Sequence, residues 1–134
     1  MKKSILIIFL TLISTAVDAQ DFNIVGNWKV KEIITPKAVD NENIRNMMEG
    51  FREGVFHLKN DQSIAITSTN PTQGFRYLTM MANDAVWNYK DNIITLSDKK
   101  SKGLIMKIFV SIKEGRTIFT FDETNLGLEV VKKD

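Results

Sequence analysis

The sequence predicts an all-β protein: an eight-stranded up-and-down antiparallel barrel with one short helix after the first strand. Short runs of alternating apolar and polar residues, separated by turn sequences, continue to the C-terminus, and no internal repeat interrupts them. Such a sheet has two exposed edges unless it closes on itself, and eight strands can close around a lumen that side chains fill or that holds one small ligand. A two-layer sandwich is the alternative architecture.

The N-terminus has the features of a secretory signal peptide, which we assign to residues 1–19. Two lysines precede an apolar run over residues 5–13, and small or β-branched side chains lead to Ala19. The run is about half the roughly 20 residues that a membrane-spanning helix needs, so we expect no membrane span. Cleavage after Ala19 leaves Gln20, whereas a bacterial lipid anchor requires cysteine there. We therefore expect one domain, residues 20–134, that is secreted or periplasmic.

Composition argues against several classes of function. The chain has 18 basic and 16 acidic residues, a formal net charge of +2, and no clustering of either sign, whereas a nucleic-acid-binding protein usually carries a basic stripe. It has no cysteine, which excludes disulfides, thiol catalysis and cysteine-ligated metal, so hydrophobic burial must hold the fold. We expect no nucleic-acid partner and no cofactor.

The first predicted strand of the domain begins at Gly26-Asn27-Trp28 and stops before Pro36, because proline cannot donate to a sheet ladder. Gly26 and Trp28 are two residues apart and therefore lie on the same face of a strand. The glycine lets the backbone pass close to a neighbour, and the indole can close one end of a small barrel.

The next segment changes its apolar spacing from strand-like to helix-like. Asp40 is a plausible N-cap, and Gly50 is a plausible stop. Apolar residues recur in this segment with the helical spacing i, i+3, i+4 and i+7, at Ile44, Met47, Met48 and Phe51. We predict one short helix over residues 40–50.

Alternation returns after this helix, with turn sequences at residues 59–62, 90–92, 113–116 and 124–125. The apolar rows of the predicted strands comprise Phe56, Leu58, Ile64, Ile66, Trp87, Tyr89, Ile94, Leu96, Leu104, Met106, Ile108, Val110, Ile112, Phe119, Phe121, Leu126, Leu128 and Val130. One long connection, residues 68–83, is too apolar for an ordinary loop. Its residues 75–82 form either a ninth strand or a segment folded over an apolar opening.

Several motifs together suggest a family. They are the glycine and tryptophan of the first strand, the helical excursion after it, Phe56 with the turn Asn60-Asp61-Gln62, and the run Trp87, Tyr89, Asn92, Ile94 and Leu96. With these, the chain resembles the lipocalin-type barrels of the calycin group, and more narrowly the small secreted lipocalin-like domains of bacteria. Animal lipocalins have an arginine near the end of the last strand that packs on the tryptophan, and here Lys132 is in phase with that position. The resemblance implies a structural plug made of Gly26, Trp28 and Lys132.

Methionines outside the strands suggest a ligand site, since this side chain adapts to varied apolar partners. In calycin barrels the segment after the first strand commonly forms a lid, so the predicted helix and residues 74–82 are expected to frame a cavity mouth. The predicted ligand-binding residues are Met47, Met48, Phe75, Tyr77, Met80, Trp87, Tyr89 and Met106, the last three lying deeper. Alternatively, the methionines only cap the core. Arg52 and Arg76 are candidate partners for a ligand carboxylate.

No catalytic or metal site is predicted. His57 is the sole histidine, and one imidazole without cysteines makes a poor metal site. There is no Gly-x-Ser-x-Gly nucleophile motif, and Asp122-Glu123 is consistent with solvated surface. The segment 40–43 lacks the glycine and distal glutamate of a calcium loop.

The leading hypothesis is an exported, non-catalytic protein that holds one small hydrophobic ligand in its barrel. The alternative is a barrel filled by its own side chains that acts through its outer surface, as an inhibitor or assembly partner. Ile105 and Phe109, on the predicted outer face of their strand, motivate that alternative.

Overall fold

A computed structural model describes residues 23–34, 42–124 and 126–133. The elements are β1 (Gly26–Ile34), α1 (Glu42–Phe51), β2 (Gly54–Leu58), β3 (Ile64–Ser68), α2 (Gln73–Asn83), β4 (Ala85–Lys90), β5 (Ile93–Asp98), β6 (Leu104–Lys113), β7 (Arg116–Phe121) and β8 (Gly127–Lys133). The predicted signal peptide, Asp40 and Pro36 lie outside the described residues.

The strands form one antiparallel sheet in the order β3-β2-β1-β8-β7-β6-β5-β4. The last strand pairs with the first, with Trp28 opposite Lys132 and Val30 opposite Val130. This pairing brings the two ends of the meander together and curls the sheet into a nearly closed barrel. The predicted fold class, an eight-stranded antiparallel barrel with a helix after the first strand, is confirmed.

The barrel is incomplete between β3 and β4, which are the two ends of the sheet. Within the described residues a single β-bridge, between Ser63 and Val86, joins these strands. The backbone amide of Trp87 also donates to the carbonyl of Gln62, at 2.9 Å. Beyond this point the strands diverge, and α2, which connects them in sequence, packs on β3.

Strand alternation places the predicted rows inside the barrel. Phe56 and Ile66 are directly paired on β2 and β3, and both are buried. The ends of β6 depart from the prediction, because Leu104 is 60% exposed and Ile112 is 52% exposed, while Ile108 at the centre is fully buried. At about 3.4 Å per residue a ten-residue strand is longer than the core is tall, so its ends extend past the packed interior.

The interior at the helical end of the barrel is filled by aromatic rings. Phe51, from the last turn of α1, inserts into the barrel and is fully buried. Its ring stacks on Phe56 at 5.8 Å between centroids and meets the edge of Phe75 at 5.0 Å. Phe56 in turn meets Phe119 edge to face at 5.4 Å. These separations are typical of favourable aromatic pairs, so the rings form one continuous cluster.

Gly50 lies inside α1 and does not end it, which corrects the predicted boundary. A Cβ at Gly50 would stand 2.3 Å from the Cβ of Phe75, so only glycine allows the two helices to approach this closely. The helix therefore continues for one more residue and delivers Phe51 into the core. Close helix contact, and not helix termination, is the role of this glycine.

Residues 75–82 do not form a ninth strand, because they belong to a second helix, α2, whereas the sequence predicts only one helix. The hydroxyl of Thr72 caps it by accepting the backbone N–H of Phe75 at 3.3 Å. Phe75 and Ala82 face the interior, seven residues apart and thus on one helix face. Neither α1 nor α2, nor any other helix in the described ranges, has the length and apolar character to cross a bilayer.

Candidate functional site

The end of the barrel at which β1 begins is covered by Trp28. Its ring is buried 5.7 Å from Phe119, and its Nε1 donates to the carbonyl of Ile24 at 2.8 Å. The Lys132 ammonium lies 5.7 Å from the centroid of the Trp28 ring, and the lysine side chain passes over Gly26. The three residues assigned to the structural plug are thus in contact with one another at this end.

The opposite, helical end carries two neighbouring cavities that we call the helix groove. The outer cavity has a volume of about 580 Å³ and is lined by Glu42, Asn43, Ile44, Asn46, Met47, Gln73, Gly74, Tyr77 and Thr124. The inner cavity has a volume of about 120 Å³ and is lined by Met47, Leu78, Met106, Lys107, Phe121, Asp122, Glu123 and Thr124. Because Met47 and Thr124 line both, the two cavities adjoin. The volume of the outer cavity is in the range of small-molecule sites, and that of the inner cavity is below it.

The helix groove is amphipathic. Its inner cavity is walled by the apolar side chains of Met47, Leu78, Met106 and Phe121, and charged residues from β6 and the 122–124 turn stand beside them. The outer cavity adds side-chain amides from both helices and the ring of Tyr77. Such a surface suits a ligand with an apolar body and a polar head.

Hydrogen bonds fix the two helices that frame the groove. The side-chain oxygen of Asn46 on α1 accepts the backbone N–H of Gly74 at 2.7 Å, and the Thr72 hydroxyl donates to the carbonyl of Asn46. The Ser68 hydroxyl at the end of β3 donates to the carbonyl of Gly50 at 2.7 Å. The groove therefore has walls that are tied to each other and to the sheet.

Three of the eight predicted ligand-binding residues line the helix groove: Met47, Tyr77 and Met106. Met48 lines a shallow cavity of about 370 Å³ on α1, which shares Glu42 and Asn46 with the outer cavity but is not part of the helix groove. Met80 is 68% exposed and is not among the lining residues of these cavities.

The aromatic members of the predicted set lie elsewhere. Phe75 is buried in the aromatic cluster against Phe51. Trp87 is buried near the barrel seam, where its Nε1 donates to the carbonyl of Lys59 at 3.0 Å. The hydroxyl of Tyr89 donates to the side-chain oxygen of Asn92, 3.1 Å away, in the β4–β5 turn.

Helix geometry explains why only some of the predicted ligand-binding residues of α2 line the groove. Successive residues of a helix point about 100° apart, so Phe75 of α2 faces away from Tyr77 and Met80, whereas in an extended segment Phe75 and Tyr77 would share a face. Leu78, Phe121 and Thr124 also line the groove but are not among the ligand-binding residues predicted from the sequence. The separation of Phe75 and Leu78 by three residues is the signal that would have placed Leu78 on an inward helix face.

The arginines proposed as partners for a ligand carboxylate are not in the helix groove. The Nε of Arg52 lies 3.0 and 2.9 Å from the two carboxylate oxygens of Glu49, one turn back on α1. Arg76 is exposed and lines neither groove cavity.

His57 joins three strands on the outer face of the barrel. Its Nδ1 lies 2.8 Å from the side-chain oxygen of Asn27, and its Nε2 lies 2.9 Å from the hydroxyl of Thr67. Burial, and to a lesser degree the positive charges of Lys59 and Lys133, lowers the pKa of the imidazole below its usual value. No group of three or more histidine or acidic side chains among the described residues is arranged to hold a metal ion.

Glu129 on β8 is the buried charged residue of the described chain. Its carboxylate accepts a hydrogen bond from the Arg116 guanidinium at 2.7 Å, and the Lys31 ammonium stands 3.8 Å away. The hydrogen bond from Arg116, together with the charges of Arg116 and Lys31, lowers the pKa of Glu129. The ionised carboxylate therefore acts as a structural partner for two cations.

Comparison with protein-family models, with curated proteins and with solved structures finds no match to this chain. The role of the helix groove is therefore argued from its own chemistry.

Proposed function

We propose that this protein is an exported, non-catalytic binding protein of the lipocalin-like type that holds one small hydrophobic ligand at the helical end of its barrel. The observation that carries the proposal is the helix groove, in which an apolar inner cavity adjoins a larger cavity with a polar lining. A ligand with an apolar body is stabilised there because it removes the partly exposed side chains of Leu78 and Met106 from water.

The packing of the barrel favours the groove over the lumen as the ligand site. Phe51, Phe56 and Phe119 are fully buried, and the ring of Phe56 contacts the rings of the other two. Each buried phenylalanine side chain contributes roughly 1.5–3 kcal/mol of transfer free energy, so opening the lumen would cost several such terms. Occupying the groove requires no such displacement.

A binding role fits the side chains of the groove better than catalysis does. Its lining contains hydroxyl groups from Thr124 and Tyr77 but no histidine, serine or cysteine. His57 is held by Asn27 and Thr67 on the outer barrel face, away from these hydroxyl groups.

The lipocalin-like assignment is supported by the closed pairing of β1 with β8 and by the contacts at the Trp28 end. Lys132 stands over the Trp28 ring, where animal lipocalins place an arginine. Export is supported by the basic and apolar N-terminal segment. Expression of the full chain in a bacterial host tests export, since the intact mass of protein recovered outside the cytoplasm should correspond to a chain starting at Gln20.

The ligand proposal is tested by purifying the protein after expression of the full chain, then combining native mass spectrometry with organic extraction. We expect a co-purifying apolar mass, or an increase in Tm when a medium-chain alcohol is added. Met106→Arg places a charge in the inner cavity and should abolish the effect. Met80→Arg, an exposed change on α2, should leave it intact.

If neither a bound mass nor a shift in Tm is found for the wild-type protein, the ligand proposal is wrong. Since Met106→Arg also affects packing, Leu78→Trp provides a second test, because the larger ring occupies the inner cavity without adding charge. A folded Leu78→Trp variant that binds as well as wild type would place the ligand elsewhere.

A second candidate function is interaction through the outer surface, and the exposed face of α2 favours it. Tyr77, Met80 and Met81 are all exposed at i, i+3 and i+4, and Phe109 on β6 is 39% exposed on the outer barrel face. Ile105 is only half-buried on the same strand. Sedimentation velocity of wild type and Met80→Arg tests the self-associating form of this function, which requires a concentration-dependent dimer that the substitution removes.

A further inference from the structure

The charged side chains of the helix groove are mostly acidic. Glu42 lines the outer cavity, and Asp122 and Glu123 line the inner one. The single cationic side chain among the lining residues of the two cavities is Lys107, on the same side as the two carboxylates of the 122–124 turn. A ligand head in the outer cavity therefore meets the carboxylate of Glu42, and the charges beside the inner cavity are two carboxylates and one ammonium.

This excess of carboxylates on the protein disfavours a ligand whose head group is itself a carboxylate. Arg52 is paired with Glu49 and Arg76 lies outside the lining of the groove cavities, so neither offers a positive charge there. Charge complementarity predicts the opposite head group, because potentials across a binding surface are arranged with opposite sign.

The outer cavity also contains an aromatic ring suited to a cation. Tyr77 lines the same cavity as Glu42 and is largely exposed, so the face of its ring is accessible. An ammonium near an aromatic face gains a cation–π attraction, and a carboxylate nearby adds to it. The apolar walls of the inner cavity, formed by Leu78, Met106 and Phe121, offer contact to an alkyl chain.

Resting on the function proposed above, we propose that the ligand of the helix groove is a cationic amphiphile, an alkyl chain that carries an ammonium head. The far end of the chain enters the inner cavity between Met47 and Met106, the rest of the chain lies along the groove, and the head lies in the outer cavity that Glu42 and Tyr77 line. The ligand class follows from a cavity of fitting size, apolar walls at its inner end and an excess of negative charge along its lining.

The experiment compares three probes with the same chain and different heads: decylammonium, 1-decanol and decanoate, each below its critical micelle concentration. Isothermal titration calorimetry at neutral pH gives each Kd. We expect decylammonium to bind about tenfold more tightly than decanoate, with decanol between them. Raising the salt concentration should reduce the difference between the charged probes and leave decanol nearly unchanged.

A matched pair of variants locates the charge effect. Glu42→Gln should raise the Kd of decylammonium about threefold and leave that of decanol unchanged. Glu53→Gln, at an exposed position outside the lining of the groove cavities, should change neither. A response to Glu53→Gln equal to that of Glu42→Gln would mean that net protein charge, and not the groove, sets the preference, and would overturn the proposal.

The remaining outcomes separate this inference from the function on which it rests. If decanol binds while decanoate binds as tightly as decylammonium or more tightly, the cationic head is wrong and the binding function stands. If no decyl compound binds, the binding function fails, and the inference fails with it.

Discussion

The ammonium of Lys132 lies 5.7 Å from the centroid of the Trp28 indole and donates to the carbonyl of Asn23 at 3.0 Å. The two residues are opposite each other in the β1–β8 register, so the first and last strands are joined by side chains as well as by backbone. To reach the indole, the lysine chain passes over Gly26. One cross-strand pair therefore links strand closure, the buried tryptophan and the N-terminal segment.

Gly26→Ala should destabilise the protein by roughly 1–3 kcal/mol, since Gly26 has a φ of +139°, a conformation that costs other residues strain. The added Cβ would also lie 2.7 Å from the Cε of Lys132, although that flexible chain can move. Urea denaturation measures the change. Gly115→Ala is the control, since its φ of +78° is strained too but no atom lies within 4 Å. If Gly26→Ala lost no more stability than Gly115→Ala, the special role of Gly26 would be contradicted.

Gly50→Ala should separate the two helices. The new Cβ would meet the Cβ of Phe75 at 2.3 Å, and Phe75 is held in the core and cannot rotate away. We expect a loss of about 1–3 kcal/mol, as for other overpacked sites, together with weaker ligand binding because α1 and α2 frame the groove. Gly103→Ala, whose nearest contact would be 3.4 Å away, should change Tm little.

Phe51→Ala should remove the ring that α1 inserts into the barrel. The ring is fully buried and contacts Phe56, Phe75 and Phe121. Truncation of such a residue typically costs about 3–5 kcal/mol through lost transfer free energy and a residual cavity. Thermal unfolding of this variant against Met81→Ala, an exposed change on α2, checks the prediction. A similar Tm for both variants would show that α1 does not support the core.

The protein should lose stability in acid as Glu129 becomes protonated. Its folded pKa is lower than its unfolded pKa, so its contribution is present above the unfolded value and is lost as the pH falls through the folded one. Glu129→Gln mimics the protonated side chain. Its Tm should lie below that of wild type at neutral pH, and the difference should shrink below about pH 4.3, where glutamate normally titrates. A difference that stays constant with pH would mean that lost packing, and not lost charge, causes it.

Helix and strand periodicity made much of the fold predictable. The two-residue period places Phe56 and Ile66 on one face whatever their neighbours are, and the i, i+3, i+4, i+7 spacing around Met47 identifies α1. Residues 75–82 were ambiguous because their apolar side chains lie on more than one face of either a helix or a strand. The N-cap at Thr72 and the close packing of Phe75 against Gly50 stabilise the helical conformation.

The sequence by itself determined which side chains share a face of each strand, since the direction of a side chain follows from the period of its element and requires no knowledge of its partner. Only the tertiary structure decided what those side chains would form together. Met47 and Met106 are 59 positions apart, and they line one cavity because α1 and the start of β6 lie at the same end of the barrel. Contacts between distant segments depend on the path of the whole chain, which no local pattern encodes.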